Sequence, residues 1–146
     1  MARLWRFSRF AVLGVSAALY AYSLSLPALL FEQHEALPGI TVLAWGWWGI
    51  LVSPPSWVAN PVYFYAVFSY VMGARKRAVI SAVIAVLFGL TAFLAEAWWF
   101  HEGYGTPIAA LGEGFYVWML SFLYLLLGCA IPVATTPTPA DNTAPG

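Results

Sequence analysis

The sequence predicts an all-α membrane protein: a four-helix transmembrane bundle with a short re-entrant or interfacial element between its first and second helices. Of its 146 residues, 62% are hydrophobic and only 8% are charged, too few to cover a compact soluble fold. Four apolar runs are long enough to cross a bilayer, which takes about 20 helical residues each. The six cations fall in two clusters, and each cluster adjoins such runs.

The four predicted spans are residues 10–30, 57–73, 78–99 and 115–133. Arg3, Arg6 and Arg9 precede the first span, and a basic start before an apolar run also describes a secretory signal peptide, with cleavage near Ala21 or Ala28. The run continues past a typical signal core and has no clean A-x-A site, so we expect the first span to stay as an anchor.

A tight basic turn, Arg75, Lys76 and Arg77, joins the second and third spans. By the positive-inside rule, basic loops stay on the cytoplasmic side of a membrane, so we expect both cation clusters and both termini in the cytoplasm. The expected location is the plasma (inner) membrane. Residues 1–133 then form a single membrane domain. The composition of residues 134–146, which are rich in Pro and Thr, predicts a disordered cytoplasmic tail.

Residues 40–53 are apolar, but fourteen residues give only about 21 Å of helix against a hydrocarbon core of about 30 Å. A span there would also put the second basic cluster outside. We therefore expect an interfacial or re-entrant lid, followed by a second span that starts near Ser56 and kinks at Pro61, with Asn60 as a helix cap. The tryptophans expected to anchor the protein at headgroup depth are Trp45, Trp47, Trp48, Trp57, Trp98 and Trp99.

Small residues at helical spacing predict which spans pack together. They are Gly14, Ala18 and Ala21 in the first span, and Ala82, Ala85 and Gly89 in the third. Such faces let two helix backbones approach closely in lipid, so we expect the first and third spans to meet. The alternative is that the spacing arises by chance in a chain so rich in alanine.

All the glutamates and both histidines are expected on the outer side of the membrane. The candidate polar site there is Glu32, His34, Glu35, Glu96, His101 and Glu102. Glu96 ends the small-residue stripe of the third span, and it faces either the bundle interior or the headgroups. Imidazole and carboxylate suit zinc, manganese or iron, but no H-E-x-x-H or E-x-x-H spacing occurs, so no metal ligand is assigned; the alternative is ordinary solvated loop residues.

The function that the sequence favours is a binding or accessory subunit of a membrane complex, acting through its helix faces and its acidic outer surface. Besides the lipid bilayer, the expected partner is another membrane protein or a cationic molecule, which outer carboxylates would attract. The alternatives are an immunity-type protein against a membrane-inserting toxin, and a small membrane enzyme or transporter using Glu96 with His34 or His101.

Several classes of activity are excluded by the sequence. It holds no phosphate-loop, nucleotide or hydrolase motif, and its lone Cys129 excludes an intrachain disulfide. The cations are signals of topology rather than a nucleic-acid patch, so no nucleic-acid partner is expected. No cofactor is assigned.

Overall fold

The computed structural model of the protein describes residues 2–51, 53–100 and 105–131. It is 70% helical, which confirms the predicted helical class. Its helices are α1 (Ala2–Ser23), α2 (Gly39–Trp45), α3 (Ala59–Val71), α4 (Arg75–Leu90) and α5 (Glu113–Ala130). The predicted tail at 134–146 and two members of the predicted polar site, His101 and Glu102, lie outside the described residues.

Local chemistry explains where α3 and α4 begin and end. A 3₁₀ turn at Pro55–Val58 leads into α3, and Pro61 lies in the first turn of that helix, where its missing N–H has no acceptor to lose. Gly73 joins α3 to α4 with a φ of 79°, a left-handed conformation that glycine adopts without steric penalty. A 3₁₀ turn at Thr91–Leu94 extends α4.

Among the described residues, two helices are long and apolar enough to cross a membrane: Arg75–Leu94, which is α4 with its 3₁₀ extension, and α5. The sequence predicted four such spans. In the described residues α1 carries three arginines, and α3 has only 13 residues by itself. The predicted first span also ends early, because the chain leaves the helix at Ser23 and becomes extended at Pro27.

Short strands, which the sequence analysis did not predict, correct the all-α assignment. They are β1 (Pro27–Leu30), β2 (Leu37–Pro38), β3 (Ala97–Trp98), β4 (Thr106–Pro107) and β5 (Ala110–Leu111). β1 pairs antiparallel with both β2 and β5, and β3 pairs antiparallel with β4. The strands satisfy backbone N–H and C=O groups of the connections between helices, which would otherwise be unpaired.

The predicted contact between the first and third spans is wrong. The main helix contacts are those of α1 with α5, α3 with α4, and α4 with α5. A Cβ placed on Gly14 would have no neighbour within 4 Å, and Ala18 and Ala21 are exposed. The reason is that α1 turns a different face inward, the one that carries Ser16 and Tyr20.

The small residues predicted in the third span do lie in the interior, on α4. Ala82 and Ala85 are buried, and a Cβ on Gly89 would come within 2.5 Å of the Met119 sulfur on α5. This face therefore brings α4 close to its actual neighbours, as small residues do between helices.

Many large apolar side chains are exposed along the bundle. Phe68 on α3, Leu87 on α4 and Leu127 on α5 are 58%, 58% and 61% exposed. Among the described residues, the interior holds alanines, a few aromatic rings and a small number of other apolar side chains such as Leu125 and Met119. It also holds the buried polar side chains Ser16, Ser23, Asn60, Ser69, Ser81 and Ser121. Large contiguous apolar surfaces of this kind are rare on soluble monomers.

Two arginines hold one end of the bundle together. Arg9 of α1 donates through Nη2 to the carbonyl of Tyr70 at the end of α3, and its guanidinium lies 5.1 Å from the Tyr70 ring centroid. Arg75 donates to the carbonyls of Cys129 at 2.8 Å and Ala130 at 2.7 Å. The last carbonyls of a helix have no intrahelical donor and carry partial negative charge, so arginine caps them well. We call this the arginine end.

Candidate functional site

A cavity of about 170 Å³ lies at the end of the bundle opposite the arginine end. It lies where α1 and α4 finish and where α3 and α5 begin, beneath residues 39–51 and 53–58, and it is partly open to the outside. Side chains from all these elements line it, including Ser23, Asn60, Ala92 and Phe115. Six of the eight tryptophans also line it: Trp45, Trp48, Trp57, Trp98, Trp99 and Trp118.

The roof of the cavity is the segment for which the sequence predicted an interfacial lid. It consists of α2, a 3₁₀ turn at Gly46–Leu51 and the 3₁₀ turn that precedes α3. The indole Nε1 of Trp57 donates to the carbonyl of Leu43 at 2.8 Å. The same ring occupies the space that a side chain at Gly46 would need, since a Cβ there would lie 2.7 Å from Cδ1. The roof is thus folded back on itself around Trp57.

Asn60 forms the polar floor of the cavity. Its Oδ1 accepts hydrogen bonds from the Tyr20 hydroxyl at 2.8 Å and from Trp118 Nε1 at 3.0 Å, and its Nδ2 donates to the Trp57 carbonyl at 3.0 Å. Only 6% of Asn60 is exposed. The expected helix-cap role is wrong, because α3 already begins at Ala59 and the side chain of Asn60 joins α1, α3, α5 and the roof.

A second polar layer lies next to this floor. The hydroxyls of Ser16 and Tyr63 are 2.7 Å apart, and Ser16 Oγ donates to the Ser121 carbonyl at 2.8 Å. The rings of Tyr20 and Tyr63 are stacked with centroids 5.0 Å apart and planes 2° from parallel, so the two layers adjoin. Every buried side-chain N or O atom in the described part of the chain has a hydrogen-bond partner.

Sequence reasoning missed this network. Tyr20, Asn60 and Trp118 all lie within runs assigned as hydrophobic spans, and their partners are 40 and 58 residues away in sequence. A usable signal was present: Ser16 and Tyr20 are four residues apart and so share one face of a helix. Polar side chains on one face of an apolar helix indicate a satisfied interior network.

The four described members of the predicted outer polar site are not part of the cavity. Glu32, His34, Glu35 and Glu96 are exposed, and none of them is among the residues lining the cavity. The centroids of the His34 and Phe100 rings are 5.2 Å apart. In the described ranges no three His, Cys, Asp or Glu side chains come close enough to hold a metal ion.

Glu96 does not face the bundle interior, which was one of its two expected positions. The 3₁₀ turn after α4 ends at Leu94, and Ala95 takes an extended conformation with ψ of 117°. The chain therefore leaves the helix axis before Glu96, whose carbonyl accepts from the Ile108 N–H at 2.9 Å. Its carboxylate is on the surface.

Five of the six predicted tryptophan anchors line the cavity, and the sixth, Trp47, does not. Trp45, Trp47, Trp48 and Trp99 are exposed, and the rings of Trp47 and Trp48 stack with centroids 4.6 Å apart. Trp57 and Trp98 are half-buried. The predicted anchors therefore present aromatic rings both outward and into the cavity.

No protein-family model, curated protein or solved structure matches this chain.

Proposed function

We propose that the protein is an integral membrane protein of four spans that acts as a binding or accessory subunit of a membrane complex. The distribution of apolar surface carries this proposal. Large hydrophobic side chains are exposed along α3, α4 and α5, whereas the described charged side chains are confined to the two ends of the bundle. Burying such surface is favourable by about 25 cal/mol per Å², which a bilayer supplies.

The lengths of the two remaining helices are compatible with crossing. α1 has 22 residues, or about 33 Å of helix. α3 has 13 residues and continues the four-residue turn Pro55–Val58, which brings the helical stretch to the lower end of the roughly 17 to 25 residues of known spans. The strands and the roof then lie at the level of the headgroups, where tryptophan is favoured.

Arg9 and Arg75 indicate the orientation, because they bring the start of α1, the basic turn and the end of α5 to the same end. The positive-inside rule places that end in the cytoplasm. The cavity, its roof and the exposed Glu32, Glu35 and Glu96 then face the outside.

Cysteine labelling tests this placement. In a Cys129→Ala background, we expect Ser53→Cys and Ala36→Cys to react with an impermeant maleimide in intact cells. Lys76→Cys should react only after the membrane is permeabilised, because it lies at the arginine end. Reversal of this pattern, or release of the protein by alkaline carbonate, would contradict the proposal.

A subunit role is supported by the outer surface, where Glu32, Glu35, Glu96 and Glu113 are exposed. All the cations of the chain belong to the clusters at the opposite end. Such a surface attracts a cationic loop of a partner and speeds its association.

Replacing these four glutamates with glutamine should reduce the amount of partner that co-purifies with the tagged protein from native membranes in mild detergent. We expect a drop of at least about fivefold at low salt, since steering by charge falls steeply as charge is removed or screened. The matched control is Lys76→Gln with Arg77→Gln at the arginine end, which should leave recovery unchanged. Equal recovery with the four-glutamine variant would remove the acidic surface from the proposal.

A further inference from the structure

We propose that the cavity beneath the roof binds a neutral apolar molecule, about one six-membered ring in size, that carries a hydrogen-bond acceptor oxygen. This inference rests on the membrane placement proposed above, because it gives such a molecule access from the lipid–water boundary. It adds a ligand site to the subunit role and uses a different surface from the acidic one.

The charge of the lining indicates a neutral ligand. No Asp, Glu, Lys, Arg or His is among the described residues that line the cavity. An ion that entered would lose its hydration without gaining a counter-charge, which is strongly unfavourable in a mostly apolar site.

The size and the aromatic walls indicate a ring. A dry cavity of about 150 Å³ holds benzene, so about 170 Å³ accommodates one ring with a short substituent. Trp48, Trp57 and Trp98 line the cavity from its roof and its side wall. Indole rings stack on a flat ligand with little loss of side-chain entropy.

The unused hydrogen-bonding capacity indicates an acceptor on the ligand. The amide Nδ2 of Asn60 has two hydrogens; one bonds to the Trp57 carbonyl, and the second has no acceptor within the described ranges. Asn60 is more than nine-tenths buried and lines the cavity. Its Oδ1 already accepts two bonds. The indole of Trp98, which is half-buried and lines the cavity, is a further donor with no acceptor among the described residues. A carbonyl or ether oxygen would use this excess of donors.

Acetophenone, ethylbenzene and tetramethylammonium are suitable probes for the purified full-length protein in detergent. The first has a ring and a carbonyl, the second has the same size without oxygen, and the third is a cation that aromatic cages favour. We expect acetophenone to bind with a Kd of about 1 mM and to raise Tm by about 3 to 5 °C at tenfold excess over Kd. Ethylbenzene should bind about fivefold more weakly.

Variants of the lining distinguish binding of acetophenone in the cavity from its partition into the detergent micelle. Ala95→Leu and Gly49→Leu each add volume to the lining, and a Cβ at Gly49 has room, its nearest neighbour being Ser53 Cβ at 3.7 Å. Both should abolish the acetophenone shift. The matched control, Ala109→Leu, changes an exposed residue outside the cavity and should retain it. A shift that survives both filling variants, equal binding of ethylbenzene, or a response to tetramethylammonium alone would each overturn the proposal.

The acceptor oxygen could belong to a free molecule or to the ester carbonyl of a lipid. Titration in nanodiscs of diester and diether phospholipids distinguishes these sources. Competition by diester lipid alone would identify the lipid ester as the occupant and overturn the proposal of a ring-sized ligand, whereas equal binding of acetophenone in both lipids would support a free molecule of the proposed class. Failure of binding would leave the labelling pattern unaffected, so it would not count against the membrane placement.

Discussion

Replacing Gly112 with alanine should destabilise the protein by at least about 3 kcal/mol, because the added methyl group meets backbone that cannot move aside. A Cβ on Gly112 would lie 2.2 Å from the Pro27 carbonyl oxygen and 2.9 Å from its carbon. The φ of Gly112 is −86°, which any residue adopts, so the effect is steric. It would separate β1 from the start of α5, and equilibrium unfolding in mixed detergent micelles measures the loss.

The matched control is Gly14→Ala on α1. A Cβ there meets nothing within 4 Å, and alanine is the better helix former by about 1 kcal/mol, so stability should be unchanged or slightly higher. If Gly112→Ala were as stable as the wild type, β1 could not lie against the start of α5 as the structure places it.

Replacing Asn60 with leucine should lower the free energy of unfolding by about 2 to 3 kcal/mol. The substitution introduces an apolar side chain with the same branching at Cγ and removes the acceptor shared by the Tyr20 hydroxyl and the Trp118 indole. A buried donor left without a partner costs about 1 to 3 kcal/mol, while hydrogen bonds between helices in lipid average below 1 kcal/mol. The same unfolding measurement applies.

A double-mutant cycle with Tyr20→Phe identifies the cause. Tyr20→Phe alone should cost about 1 kcal/mol, since it removes one donor and leaves Trp118 to satisfy Asn60. In the Asn60→Leu background it should instead restore part of the lost stability, because it removes a buried hydroxyl that no longer has an acceptor there. Additive losses would mean that Tyr20 and Asn60 are not coupled.

The start of α3 could be predicted from the sequence to within a few residues. The prediction that the second helix begins near Ser56, with Pro61 in its first turns, is close to the observed 3₁₀ turn at Pro55 and helix at Ala59. Proline has a strong local effect, so its position in a helix can be read from neighbouring residues. The packing of α1 was predicted wrongly, because a stripe of small residues does not identify the helix that lies against it.

The outer glutamates likewise show one property that the sequence predicts and another that depends on the tertiary structure. That Glu32, Glu35 and Glu96 are exposed agrees with the reading of them as solvated loop residues, which hydropathy alone supports. Their separation from the cavity could not be read from hydropathy. For Glu96 it depends on where the chain leaves the helix after α4, which is at Ala95, because the backbone of Ala95 is extended.

By itself the sequence determined the helical class, the segregation of charge to the chain's turns and ends, and the shortness of the apolar run at residues 40–53. These follow from hydropathy, length and proline, all of which act over a few residues. Only the tertiary structure decided that Asn60 joins three helices, that strands lie at one end and that six tryptophans line a cavity. Those features depend on contacts between residues tens of positions apart, and hydrogen-bond partners at such separations have no local signal.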